Sequence, residues 1–401
     1  MRSFNIKRPA QLAGAFGGAA FLMATSAIGP GFLTQTAVFS WQLAGSFGFV
    51  ILLSVLLDIG AQLNIWRILT ASGQRAQDLS NQLAPGLGYA LGLMVALGGL
   101  AFNIGNIGGC GMGLRLLTGL DTAPAAVLSA AVALAIFWAP EANRAMDAAV
   151  KILGMGMLGF TLYVAIAAAP PLGEALYRSI WPSQVDALAI VTLVGGTVGG
   201  YISFAGAHRL LDAGVQGPES IGPVSRAAVR GIALTACMRY ALFLAALGVV
   251  AAGRPLDAEN PAAGVFRYAA GEAGYRIFGF VMWSAAITSV IGSAYTSISF
   301  IKNWRPEIAR HTRRAITIFI LISLAVFIAV GKPVQLLVLA GTINGFILPL
   351  ALAVLLLAAR NTRLLNGYRH PLWLQIAGWG VAAVMAGLAV RACLKLYFSL
   401  I

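Results

Sequence analysis

Apolar residues run through this chain in long blocks, separated by short clusters of Arg, Pro, Asn and Gly. A block of roughly 20 apolar residues matches the hydrocarbon thickness of a bilayer when helical. A helix also satisfies its own backbone groups there. Eleven such blocks can be read, at about 11–45, 47–67, 84–107, 122–139, 147–169, 188–211, 228–252, 275–301, 315–331, 333–358 and 372–397. The pattern predicts an all-α polytopic membrane protein with 11 transmembrane helices, a single transmembrane unit over 1–401. The longest connectors, near 169–187, 212–227 and 253–274, leave no room for a soluble domain.

Two blocks are interrupted. Gly29-Pro30-Gly31 divides the first, and Gly195-Gly196-Thr197-Val198-Gly199-Gly200 divides the sixth. They open consecutive groups of five spans, with one repeat at about 11–169, a second at about 188–358 and an extra helix at 372–397. Broken helices at matching positions of two repeats point to a transporter with its site at the breaks, near mid-membrane. A glycine cluster alone would more often mean close helix packing.

Composition sharpens this. The 401 residues are 59% apolar and 10% charged, with mean hydropathy +0.84, where a soluble chain carries about a quarter charged residues. Soluble, disordered and nucleic-acid-binding classes are excluded together. The net charge of +14 reads as topology. With the N-terminus inside, eighteen Lys and Arg fall on cytoplasmic segments and six outside, which predicts an inner-membrane, multi-pass protein with a cytoplasmic N-terminus and an external C-terminus. Cys110, Cys237 and Cys393 are far apart, as are His208, His311 and His370. No Cys/His metal cage or catalytic cluster is expected, and no enzyme or cofactor.

The polar residues left within the spans define a candidate substrate site. Gly29, Gly31 and Gln35 lie at the first break; Thr197, Gly199 and Tyr201 lie at the sixth. Asn103 and Asn106 share one face of the third span, and Asn344 lies in the tenth. Arg239 falls mid-way along the seventh span, where a charge is costly and usually faces a cavity or a partner. Its alternatives are a grip on a substrate carboxylate or neutralisation of Asp58, the one clearly mid-span acid.

With these positions in view, the chain resembles the NRAMP family of metal-ion transporters over nearly its whole length. Phe47-Gly48-Phe49 is similar to the opening of that family's second span, Thr288-Ser289-Val290-Ile291-Gly292-Ser293 to its Ser/Thr-rich motif in the eighth, and Leu348-Pro349 to its Leu-Pro in the tenth. The resemblance is narrowest to a divergent bacterial branch. It implies a LeuT-type fold of two inverted five-helix repeats, helices 1–5 and 6–10, with helices 1 and 6 broken.

The family's metal chemistry does not carry over. Its Asp-Pro-Gly-Asn falls on Gly29-Pro30-Gly31-Phe32, and its Met-Pro-His falls on Gly199-Gly200-Tyr201. A helix 10 Gln becomes Gly341, and the acids of helix 3 become Asn103 and Asn106. A slip of one or two residues in helix 6 would bring His208 nearer the site. With no carboxylate or thioether expected at the breaks, micromolar manganese, iron or calcium binding is not expected. The expected substrate is a small polar organic solute: a carboxylate or an amino-acid derivative, and, from the resemblance to that branch, a 5-oxoproline-like molecule. The alternative is a divalent metal cation held at an atypical site. Coupling to a proton or a sodium ion, the latter on helices 1 and 8, and uncoupled transport all stay open.

Overall fold

The computed structural model describes residues 28–400. Residues 11–27, the first half of the first expected span, lie outside the described residues. From there the chain is a succession of helices: α1 Pro30–Leu43, α2 Phe47–Ser72, α3 Ala76–Leu83, α4 Leu87–Thr118, α5 Thr122–Trp138 and α6 Pro140–Ala167. Next come α7 Leu172–Ile180, α8 Ala187–Thr197, α9 Tyr201–Asp212, α10 Ile221–Ala251 and α11 Pro261–Ile301. The last four are α12 Pro306–Arg310, α13 Thr312–Val330, α14 Pro333–Ala358 and α15 Leu372–Leu400.

Local chemistry sets many of these boundaries. Proline opens α1, α6, α11, α12 and α14, where its missing N–H costs nothing. The Asp186 carboxylate accepts from the Ala189 N–H at 2.9 Å and caps α8. The Asn260 amide oxygen does the same for α11, accepting from Ala263.

Among the described residues, eight helical stretches are long and apolar enough to cross a membrane, or nine if α6 and α7, bent by 110°, make one span. Eleven is not reached by this measure, for two reasons. Helix α5 is apolar but short, and Pro30–Ser72 counts as one stretch of 43 residues, although Ala44 at φ 46 separates α1 from α2. Two connectors are also shorter than expected. Helix α10 starts at Ile221 and α11 at Pro261, the latter bending at Gly271.

Helix α4 is central, packed chiefly on α11, with α14 lying against both α4 and α8, and α10 against α2. Glycine permits the closest approaches. A methyl on Gly195 of α8 would overlap the Gly341 carbonyl and Gly345 amide of α14, and one on Gly109 of α4 would overlap Pro30. Such small-residue seams are how helices come together in lipid. Leu56, Ile152, Ile166 and Trp373 are exposed on the outside, an apolar surface suited to acyl chains rather than water.

Candidate substrate site

The sixth span is broken as the glycines predict. Helix α8 stops at Thr197 and α9 restarts at Tyr201. Gly200 takes φ 47 and ψ −119, a conformation that disfavours side chains, and a methyl there would collide with Asn344 Oδ1. The loosened Val198 carbonyl accepts from Ser203 Oγ at 2.8 Å. At the other break Gly29, in extended conformation, precedes α1 and offers no side-chain cap to the first turn. The Leu33 N–H donates to Gly29 O at 3.2 Å.

Side chains from five other helices gather on the sixth-span break. Gln35 of α1 reaches into a notch where methyls on Gly196 or Gly341 would strike its amide. Its Nε2 donates to Leu337 O at 2.8 Å, while Oε1 has no partner. Gly31, one turn earlier, leaves 3.5 Å from its absent methyl to the same Nε2. Asn344 of α14 donates from Nδ2 to Gly98 O and Ala340 O, both at 2.9 Å, leaving Oδ1 unpartnered beside Gly200. Tyr201 stacks edge-on against Phe102, with ring centroids 5.2 Å apart. Asn106 Nδ2 and both amide atoms of Asn103 are buried without partners.

The charges sit at Thr197. Arg239 of α10 is 3% exposed; its Nη1 donates to Thr197 Oγ1 at 2.8 Å, and its guanidinium lies 4.2 Å from the centre of the Phe32 ring. Nε and Nη2 have no partner. The Asp58 carboxylate of α2, 1% exposed, is within reach of the same hydroxyl and in the field of Arg239, and its Oδ1 is unpartnered. Thr197 Oγ1 also lies 2.8 Å from Leu193 O. One hydroxyl proton serves one acceptor at a time, so Leu193 O and Asp58 compete for it.

This corrects the expectation that no carboxylate reaches the breaks: the facing of α2 brings Asp58 to the end of α8. Gly199 has a packing role, closing against Gly195 and the Asn344 carbonyl. Phe32 and the unpartnered Thr34 hydroxyl complete the α1 side. A sequence signal for Phe32 was available in its place directly after Pro30-Gly31. His208 does not join the site. It lies toward the far end of α9, between the Phe204 and Phe300 rings, with Nε2 accepting from the Ala76 N–H at 3.4 Å. Among the described residues no group of three or more His, Cys, Asp or Glu is placed to hold a metal ion.

The chain has counterparts among known proteins. YcsG, an uncharacterized membrane protein of Bacillus subtilis (strain 168), is 56% identical over 373 residues, spanning 93% of this chain and 92% of its own length. The divalent metal cation transporter MntH of Xylella fastidiosa (strain Temecula1) is 25% identical over 399 residues, spanning 91% of this chain and 84% of its own. A crystal structure of a mutant Eremococcus coleocola manganese transporter matches with TM-score 0.73 at 16% identity, covering 97% of this chain and 88% of that one. MhsT in complex with L-phenylalanine matches with TM-score 0.63 at 15% identity, covering 94% and 97%. At such identities the likeness is one of fold, the LeuT-type arrangement that the family resemblance implies. The model of the natural resistance-associated macrophage protein-like family matches residues 20–395, and the chain, with its helix breaks and its continuous run of apolar helices, belongs to that family.

Proposed function

We propose that this NRAMP-family membrane transporter is a secondary transporter that moves a small polar organic solute bearing a carboxylate, with Arg239 as its anchor. The observation that carries the reading is the pair of unused Arg239 donors, Nε and Nη2, buried beside the sixth-span break. In the planar guanidinium these two N–H groups point the same way, the fork that matches the two oxygens of a carboxylate. The amide nitrogens of Asn103 and Asn106 add further donors. Gly29, Gly31, Gln35, Tyr201 and Asn344 shape the walls, and Thr197 holds the guanidinium in place.

Metal transport is the second reading, favoured by the family and by MntH. Asp58 Oδ1, Gln35 Oε1, Asn103 Oδ1 and Asn344 Oδ1 are unpartnered oxygens of the kind that hard divalent ions bind. Against it stands the guanidinium at Thr197, which repels a dication in a site of low dielectric. The same reading has an inner-membrane protein with a cytoplasmic N-terminus and an external C-terminus, from the bias of basic residues between its loops, built as two repeats followed by one further helix. A proton or sodium ion is the candidate coupling partner.

Calorimetry on the purified protein with manganese and with a panel of small carboxylates separates the two readings. Arg239→Gln should weaken carboxylate binding by roughly 2–5 kcal/mol, the range for truncating one partner of a buried charge contact. Arg239→Lys should recover only part, because an ammonium lacks the fork. A saturable micromolar manganese site untouched by Arg239→Gln, with no carboxylate bound, would refute the organic-anion reading.

A further inference from the structure

Two opposite charges with unused hydrogen-bonding atoms meet at Thr197. On one side Arg239 presents Nε and Nη2; on the other Asp58 presents Oδ1. Both residues are nearly fully buried, at 3% and 1% exposed, and they come from α10 and α2, far apart in the chain. Leaving a buried charged group short of partners is expensive, so two such groups beside one hydroxyl are matched to something that brings complementary atoms.

A solute carrying only a carboxylate satisfies half of this. It occupies the Arg239 fork but brings a second anion toward Asp58, with nothing to donate to Oδ1. In its ionised form the Asp58 carboxylate accepts hydrogen bonds and donates none. A solute with an N–H group near its carboxylate satisfies both: two oxygens take the fork, and the nitrogen donates to Asp58. The remaining unpartnered groups, the amides of Asn103 and Asn106 and Gln35 Oε1, are neutral and contribute either donors or acceptors to the rest of the molecule.

We infer that Asp58 is a specificity-determining residue, accepting a hydrogen bond from an N–H group of the solute whose carboxylate binds Arg239. The site thus selects small molecules bearing both groups over simple carboxylates. The inference rests on the organic-anion reading of the same site. It makes Asp58 more than a counter-charge: a counter-charge would need only to sit near Arg239, whereas an acceptor must keep an oxygen free, as Oδ1 is.

The test uses the full chain in lipid nanodiscs and three probes with rings of one size, titrated calorimetrically. Cyclopentanecarboxylate offers a carboxylate alone, proline adds a ring ammonium, and 2-pyrrolidone-5-carboxylate adds a neutral ring N–H. In the unmodified protein at least one nitrogen-bearing probe should bind about 10–100-fold more tightly than cyclopentanecarboxylate, the range for a hydrogen bond to a charged group. Asp58→Ala should erase that preference while cyclopentanecarboxylate binding is kept or improved. Asp58→Asn retains an oxygen acceptor without the charge, so it should keep a preference for the lactam and lose one for proline. Equal binding of all three probes to the unmodified protein would overturn the inference while leaving the anchor reading intact, and this comparison needs no variant to fold. A preference that survives Asp58→Ala would overturn it as well. Failure of every carboxylate to bind would bring down both.

Discussion

The seam between α8 and α14 holds one wall of the site in register, and Gly195→Ala is the perturbation that tests it. The added methyl would overlap the Gly341 carbonyl and Gly345 amide and stand 2.7 Å from Gly345 Cα. Carbon–carbon contacts are comfortable only at about 3.5–4.0 Å, so the two backbones must part by about 1 Å. That separation stretches the Thr192–Thr342 hydroxyl bond, now 2.7 Å, beyond hydrogen-bonding range. Overpacking of this kind costs about 1–3 kcal/mol, and the lost hydroxyl bond adds about 1 kcal/mol. The expected loss is therefore roughly 2–4 kcal/mol, read by denaturant titration in mixed micelles. Ligand affinity should fall too, because Asn344 and Gly341 move away from Gly200 and Gln35. Gly159→Ala is the control: that glycine has nothing within 4 Å, and substitution should leave stability unchanged or raise it by about 0.5–1 kcal/mol. A Gly195→Ala protein as stable as the control would refute the close-packed seam.

Two other outcomes can be checked independently. His370, in the segment before α15, lies 2.7 Å from Asn64 Oδ1 through its Nε2, and burial together with the neighbouring Arg67 charge pushes it down to about 4. The released segment would titrate near 6.5, as an ordinary histidine does, so the docked form is favoured while the ring is neutral. That contribution is fully present above about pH 6.5 and is lost as pH falls toward 4. Between pH 7 and 4.5 the protein should lose roughly 2–3 kcal/mol more than a His370→Gln variant does, and equal losses in melting profiles would contradict the assignment. Residues 302–314, with Lys302, Arg305, Arg310, Arg313 and Arg314, should be cytoplasmic. Labelling of an introduced cysteine in this loop by an impermeant reagent on intact cells would reverse the topology.

Much of the fold was legible because lipid tolerates so few backbone solutions: long apolar runs can only be helices. Where helix and apolar run differ, polar residues are the cause. The starts of α10 and α11 carry Arg226, and Arg267 and Glu272, so the apolar runs begin later than the helices do. The glycine run of the sixth span was recognised as a break, but its members divide the work: Gly195 packs, Gly196 makes room for Gln35, and Gly200 supplies the turn. Asp58 was seen as a mid-span acid, yet its place at the site depends on the rotation of α2 against α8, which a single sequence does not encode locally. His208 looked close by residue count. Eight residues of helix carry it about 12 Å from Gly200.

The unpartnered atoms around the break belong to five helices, α1, α2, α4, α10 and α14, drawn from both halves of the chain. A solute that satisfies them does more than occupy a site; it becomes a fastener between segments otherwise held by apolar packing and a few bonds. Anything that binds only the folded form stabilises it by mass action, about 2.7 kcal/mol at a hundredfold excess over its dissociation constant. Thermal melting should therefore be an unusually sensitive way to find the physiological cargo. A mixture of metabolites could be fractionated by the rise in melting temperature alone, without a transport assay. The same linkage recommends solubilising the protein from the membrane with its cargo present, since the bare form carries its buried polar atoms uncompensated into detergent.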